Sequence, residues 1–272
     1  MSQDDCMRHL LLTTTVLMTL PAMMAASPFE NLAEVEVLTG WRLANGDHMA
    51  ALRITLQPGW KTYWRAPGDG GIPPQFHFSG SETISSVTPH WPVPQVFDQN
   101  GLRSIGYNDG VVFPITVSSQ DASAPIQING ELNIGVCEEI CVPVALDFNA
   151  TLPVTGDRDT SITAALLNRP LTASEANVGA VICAISPIED GLRLTTSVDV
   201  AATGASEFVI IEAGTPGIWV SEANVSRVGN QLSATVDMFN NAGTAFALDR
   251  SAVRITLLGS DQAIDIQGCA AS

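Results

Sequence analysis

Short apolar stretches recur along the chain, each broken by Gly, Pro, Asn or Asp. In the first half the pattern predicts strands over Ala33–Leu43, Met49–Leu56, Gln75–Phe78, Val111–Val117, Ile126–Val136 and Val142–Leu152. Met49-Ala-Ala-Leu-Arg-Ile-Thr-Leu56 alternates imperfectly, as a half-buried strand does. Turn signals stand at Pro58-Gly59, Gly68-Asp69-Gly70-Gly71, Asn100-Gly101 and Asn108-Asp109-Gly110, where Gly and Asn tolerate positive φ. Asp157 to Asn168 reads as one short helix, capped by Asp or Thr and ended by Pro170. Leu171–Ala180 reads as linker.

Beyond it the strand pattern resumes at Val181–Ile185, Leu192–Val200, Glu207–Glu212, Ile218–Val220, Gln231–Asp237, Ala245–Leu248, Val253–Leu258 and Ala263–Ile266. Many short strands with few helices indicate β-sandwiches. The expected class is therefore all-β, with two sandwich domains. Residues 1–26 are a leader, 27–155 the first domain, 156–180 a helical or irregular linker and 181–272 the second domain.

Composition sharpens this picture. At 46% apolar and 15% charged residues the chain is globular rather than disordered. Leu10–Leu20 is too short for an ordinary membrane span, and Ala22–Ala26 supply small residues for cleavage. This is a secretory leader, and it reads best with Met7 as the start, because Asp4 and Asp5 spoil a positive leader end. Cleavage near Ala26 delivers the rest to the periplasm without stable membrane insertion. A formal charge of −16 argues against nucleic acid and anionic headgroups as partners. Lys61 is the only lysine. Aromatic residues concentrate in the first half, and Trp60–Trp64 and Trp91–Phe97 read as loops carrying exposed rings.

Without the leader and its Cys6, four cysteines remain: Cys137, Cys141, Cys183 and Cys269. Four cysteines in an oxidising compartment allow three pairings, the simplest being within each domain. A Cys183–Cys269 link would close a loop of roughly 87 residues and contribute about 4.6 kcal/mol in the chain-entropy model. It is expected as a structural disulfide. A Cys137–Cys141 link closes a loop of roughly five residues and contributes only about 2 kcal/mol. A chemical use explains the short link better, with a hairpin staple as the alternative. Glu138 and Glu139 between the sulfurs disfavour the thiolate, which points to a carrier activated by its partner.

Cu(I) or Zn(II) held by the same pair with His77 or His90 is a competing reading, and a binding or scaffold protein with two structural disulfides is another. No nucleophile elbow, phosphate-cradling loop or zinc-protease motif is present. Asp69 and Asp98 read as solvated turn residues. No cofactor or resident metal is implied.

Four ordered motifs carry a family resemblance: Gly59-Trp-Lys-Thr-Tyr-Trp-Arg-Ala-Pro-Gly-Asp-Gly-Gly-Ile-Pro73, Trp91-Pro-Val-Pro-Gln-Val-Phe97, Ile105-Gly-Tyr107 and Val136-Cys-Glu-Glu-Ile-Cys-Val-Pro143. They resemble the N-terminal periplasmic domain of the DsbD/ScsB thiol–disulfide interchange proteins, and the Cys-x3-Cys spacing lies nearer the ScsB branch. The second half, more weakly, resembles the β domain that follows this module in ScsB-type members. The resemblance implies an immunoglobulin-like fold and a protein-disulfide reductase component. It makes Cys141 the attacking thiol and Cys137 the resolving one, with a cap or recognition loop drawn from Phe97, Tyr107 and Trp91. It also implies a thioredoxin-like domain or membrane electron conduit as electron source, and periplasmic thiol proteins as clients.

Overall fold

The computed structural model describes residues 31–272 except Glu82 and Asn100. The segment expected to be a leader, with Cys6 and Met7, lies outside the described residues. The first ten strands are β1 (Ala33–Arg42), β2 (His48–Leu56), β3 (Lys61–Tyr63), β4 (Gln75–His77), β5 (Ile84–Pro89), β6 (Gln95–Gln99), β7 (Leu102–Asn108), β8 (Gly110–Ser119), β9 (Ile126–Cys137) and β10 (Cys141–Leu152). They form one sheet of order β1-β2-β8-β5 and a second of order β10-β9-β3-β7-β6, with β4 also pairing β9.

Period-two alternation assigns the faces. On β9, Ile126, Ile128, Leu132, Ile134 and Val136 point into the shared core, and the intervening residues point out. On β2 both faces are buried. Ala50, Leu52, Ile54 and Leu56 join the sandwich core, while Met49 and Ala51 pack with Leu38 and Ile162 of helix α1 (Thr160–Leu167). Asp159 caps that helix, accepting from the backbone N–H groups of Ser161 and Ile162 at 2.7 and 3.1 Å. Gly40 marks a register shift between β1 and β2. Its φ is +56°, and a Cβ there would lie 1.9 Å from the Met49 carbonyl oxygen, so no other residue fits.

The second half contributes β11 (Leu171–Thr172), β12 (Val181–Ile188), β13 (Gly191–Asp199), β14 (Glu207–Glu212), β15 (Ile218–Val220), β16 (Asn224–Val228), β17 (Gln231–Asn240), β18 (Arg254–Gly259), β19 (Ala263–Gln267) and β20 (Ala270–Ala271). Their sheets run β11-β19-β18-β14 and β15-β17-β13-β12-β20, with β16 beside β17. Leu232, Ala234, Val236 and Met238 of β17 face inward beside Leu194, Thr196 and Val198 of β13. The molecule is thus all-β, built as two immunoglobulin-like sandwiches with one short helix among the described residues.

Several elements depart from the pattern-based reading. Trp60–Trp64 is no exposed loop: Lys61–Tyr63 form β3, buried throughout between β7 and β9. Trp91–Phe97 likewise runs into β6. Ala245–Leu248 is not a strand. Phe246 and Leu248 reach the second core from irregular backbone, which satisfies their apolar pattern without a ladder. The segment read as linker supplies β11, parallel to β19, and packs Ala173, Ala176 and Val178 against the second core.

The two sandwiches share buried surface. Ile210, Leu258 and Ala263 belong to the same apolar cluster as the first core. Arg65 follows β3, stacks on Trp64 at 3.9 Å, and donates to the Glu212 carboxylate at 3.0 and 3.2 Å and to Thr256 Oγ1 at 3.2 Å. The two acids read as turn residues also have structural partners. Asp69 accepts from Trp219 Nε1 at 3.1 Å, and Asp98 accepts from Arg103 Nε at 2.8 Å.

Candidate functional site

Cys137 ends β9 and Cys141 opens β10, so Glu138, Glu139 and Ile140 form the tip of the hairpin. The two cysteines face each other in the antiparallel register with a Cα–Cα distance of 4.2 Å, and their sulfurs are bonded. Directly opposed positions at a hairpin end bring the two sulfurs within bonding reach. The two residues differ in exposure. Cys137 is 1% exposed, whereas Cys141 is open to solvent.

The outer face of the sheet surrounds Cys137 with side chains from three other strands. Across it, Cys141, Cys137, Lys61 and Asn108 stand side by side on β10, β9, β3 and β7. Two residues further along β3, on the same face, Tyr63 reaches the disulfide. Its hydroxyl donates to Cys137 Sγ at 2.7 Å and also lies 3.2 Å from Cys141 Sγ and 3.3 Å from the Gly70 carbonyl oxygen. Bonded sulfurs carry no proton, so the phenol is the donor. Burial raises the Tyr63 pKa and keeps that O–H in place.

Two glycines make room for this ring. A Cβ on Gly135 would come within 3.0 Å of the Tyr63 ring and 2.7 Å of Ile72 Cβ, and one on Gly71 within 2.9 Å of the same ring. Lys61 lies in the cleft beside Cys137, Glu138 and Phe97. Its Nζ sits 5.1 Å from the Phe97 ring centroid and donates to Ser104 Oγ at 3.5 Å, and burial lowers its pKa. A larger cleft of about 920 Å³ lies between the sandwiches and contains neither sulfur.

Of the three expected recognition residues, only Phe97 stands at this cleft. Tyr107 points to the opposite face of β7, as alternation requires of a residue paired with inward-facing Thr62. Its ring packs on Phe113, and its hydroxyl donates to the Pro92 carbonyl at 2.9 Å. Trp91 packs edge-on against Phe76 and Phe113 in the same core. Neither reaches the disulfide. His77 sits opposite Glu131, six residues along β9 from Cys137, or about 20 Å at strand rise. His90 bonds Thr116 Oγ1 at 2.7 Å. Neither histidine joins the cysteine pair. In the second sandwich Cys183 and Cys269 are bonded across 86 positions, tying β12 to the segment before β20.

Tyr63 and Lys61 are site residues that the sequence reading does not pick out. The available signal is the sole lysine alternating with aromatic residues in Trp60-Lys-Thr-Tyr-Trp64, which places Lys61 and Tyr63 on one strand face.

Residues 31–153 match the family described as "Thiol:disulfide interchange protein DsbD, N-terminal". Over that span the chain matches a DsbD-type N-terminal domain. Its disulfide hairpin, Cys137 to Cys141, and its buried Tyr63 lie wholly within the matched span. A comparison with curated protein sequences finds no match. Among solved structures, the N-terminal periplasmic domain of ScsB from Proteus mirabilis superposes with a TM-score of 0.68 at 24% identity, covering 91% of this chain and 97% of that one. That likeness extends the shared fold beyond the DsbD-type domain into the second sandwich. Among the described residues no helix is long and apolar enough to cross a membrane.

Cys141 is the more exposed residue of the pair, and a thiolate attacking its sulfur would leave the electron pair on Cys137. Tyr63 stands where that charge develops.

Proposed function

We propose that this protein is a periplasmic thiol–disulfide exchange module that passes reducing equivalents through Cys137 and Cys141. A thioredoxin-like dithiol or a membrane electron conduit supplies them, and client thiol proteins receive them. One observation carries the reading: the exposed Cys141 is bonded to a buried Cys137 with the Tyr63 hydroxyl against both sulfurs. The DsbD-type family match supports it.

The reductant's thiolate attacks Cys141 Sγ, the intramolecular bond breaks, and Cys137 leaves as a thiolate that accepts the Tyr63 hydrogen bond. The reductant's second thiolate attacks its own sulfur in the mixed disulfide and releases Cys141. In the forward direction the Cys141 thiolate attacks a client disulfide, and Cys137 then attacks Cys141 Sγ and frees the reduced client. Two electrons move in each half. Phe97 shields the Cys137 side of the cleft, and Cys183–Cys269 acts as a structural link.

The test is mixed-disulfide capture with an oxidised thioredoxin-like partner. Reduced Cys137→Ser keeps the attacking sulfur and loses the resolving one, so it accumulates a covalent adduct through Cys141. Cys141→Ser accumulates none. Absence of an adduct in both variants would identify the pair as a staple in a binding or scaffold protein.

A further inference from the structure

Lys61 is the chain's only lysine, and it is 9% exposed. Lysine is seldom buried, because its ammonium loses hydration. Here it occupies the position directly opposite Cys137 across β3 and β9, on the same sheet face. Cross-strand neighbours of this kind hold their Cβ atoms about 5 Å apart. The Phe97 ring and Ser104 Oγ keep the head group on this outer face. Cys137 therefore has Cys141 on one flank and a lysine on the other.

Lys61 of β3, Glu138 of the hairpin tip and Asp98 of β6 line one cleft with Cys137, Tyr63 of β3 donates to its sulfur, and Glu139 follows at the hairpin tip. Arg103 engages the Asp98 carboxylate. Glutamates near a thiol raise its pKa, and a neighbouring ammonium lowers it. The hairpin alone would thus make Cys137 a poor thiolate. The strand on its other side supplies the opposite charge.

We infer that Lys61 sets the charge state of Cys137, its ammonium stabilising the Cys137 thiolate both as leaving group and as resolving nucleophile. The inference rests on the exchange reading above. When an incoming thiolate bonds to Cys141 Sγ, the S–S electron pair departs on Cys137 Sγ beside Lys61. A better leaving thiolate departs faster. When a client is held on Cys141, the same thiolate returns that pair to Cys141 Sγ and expels the client thiolate. The ion pair exists between the titration of Cys137 and the titration of Lys61. Resolution therefore slows as pH falls through the Cys137 midpoint.

The test follows the ultraviolet absorbance of the thiolate against pH in a Cys6→Ser, Cys141→Ser background, where Cys137 is the single free thiol. With Lys61 in place, Cys137 should titrate below the ordinary thiol value of about 8.5. Lys61→Met should move the midpoint upward by about one unit or more, leaving about tenfold less thiolate at a given pH below it. Lys61→Arg should retain most of the parent midpoint. A Lys61→Met curve that overlays the parent overturns the inference. So does a parent midpoint at or above about 8.5, which decides the matter even where no lysine variant folds. A wild-type pair that fails to exchange with a dithiol sinks the exchange reading and leaves this titration untouched. An exchanging pair with an unshifted titration sinks the role of Lys61 alone.

Discussion

At the scale of single residues, the cysteines are legible in sequence and their surroundings are not. Spacing and compartment single out Cys137 and Cys141, because two sulfurs four positions apart can meet only at a tight turn. Tyr63 is 74 positions from Cys137, and only the pairing of β3 with β9 brings its hydroxyl to the sulfur. The aromatic motif that contains it reads equally well as core or as an exposed loop. Tyr107 shows the converse error: its motif suggests a place beside the site, and alternation on β7 turns it to the other face. Replacing Tyr63 by Phe keeps the packed ring and removes the donor. A hydrogen bond to a charged group contributes about 1.5–3 kcal/mol, so reduction of the pair should slow about ten- to hundredfold. Stopped-flow reduction by excess dithiol measures this, with thermal unfolding as the control for the fold. An unchanged rate would remove Tyr63 from the chemistry.

At the scale of elements, the long strands with one apolar face are readable in the sequence, and the short buried ones are not. β9 and β10 announce themselves through alternation and the turn between them. β3 has three residues, buried on both faces, too few for a period to emerge. β5 and β16 carry mostly polar, half-exposed residues, so their strand character comes from the neighbours that pair with them. The helix is readable from its cap. Asp159 satisfies two N–H groups of α1, whose Ile162 seals the outer face of β2. Asp159→Ala should therefore cost about 1 kcal/mol, seen as a lower denaturant midpoint with an unchanged slope. It should leave the reduction rate of Cys137–Cys141 as it was, because α1 packs on the sheet that does not carry the pair.

At the scale of the whole molecule, the two disulfides occupy different settings. Cys183–Cys269 spans most of the second sandwich with Cys183 fully buried, a setting that protects it. Cys137–Cys141 closes a hairpin tip and belongs to neither apolar core. Between them, Arg65 and its acidic partners on β14 and β19 join the strand carrying Tyr63 and Lys61 to the second sandwich. The fold class is legible from strand number and spacing. This joint is not, since Glu212 and Asp265 stand far along the chain from Arg65 and nothing local marks them as its partners. The measurement that bears most directly on the central claim is the reduction potential of Cys137–Cys141, by glutathione or dithiothreitol titration with alkylation and mass spectrometry. An exchange pair should fall between about −120 and −270 mV while Cys183–Cys269 stays oxidised. A potential well below about −300 mV would mark a structural link and contradict the account.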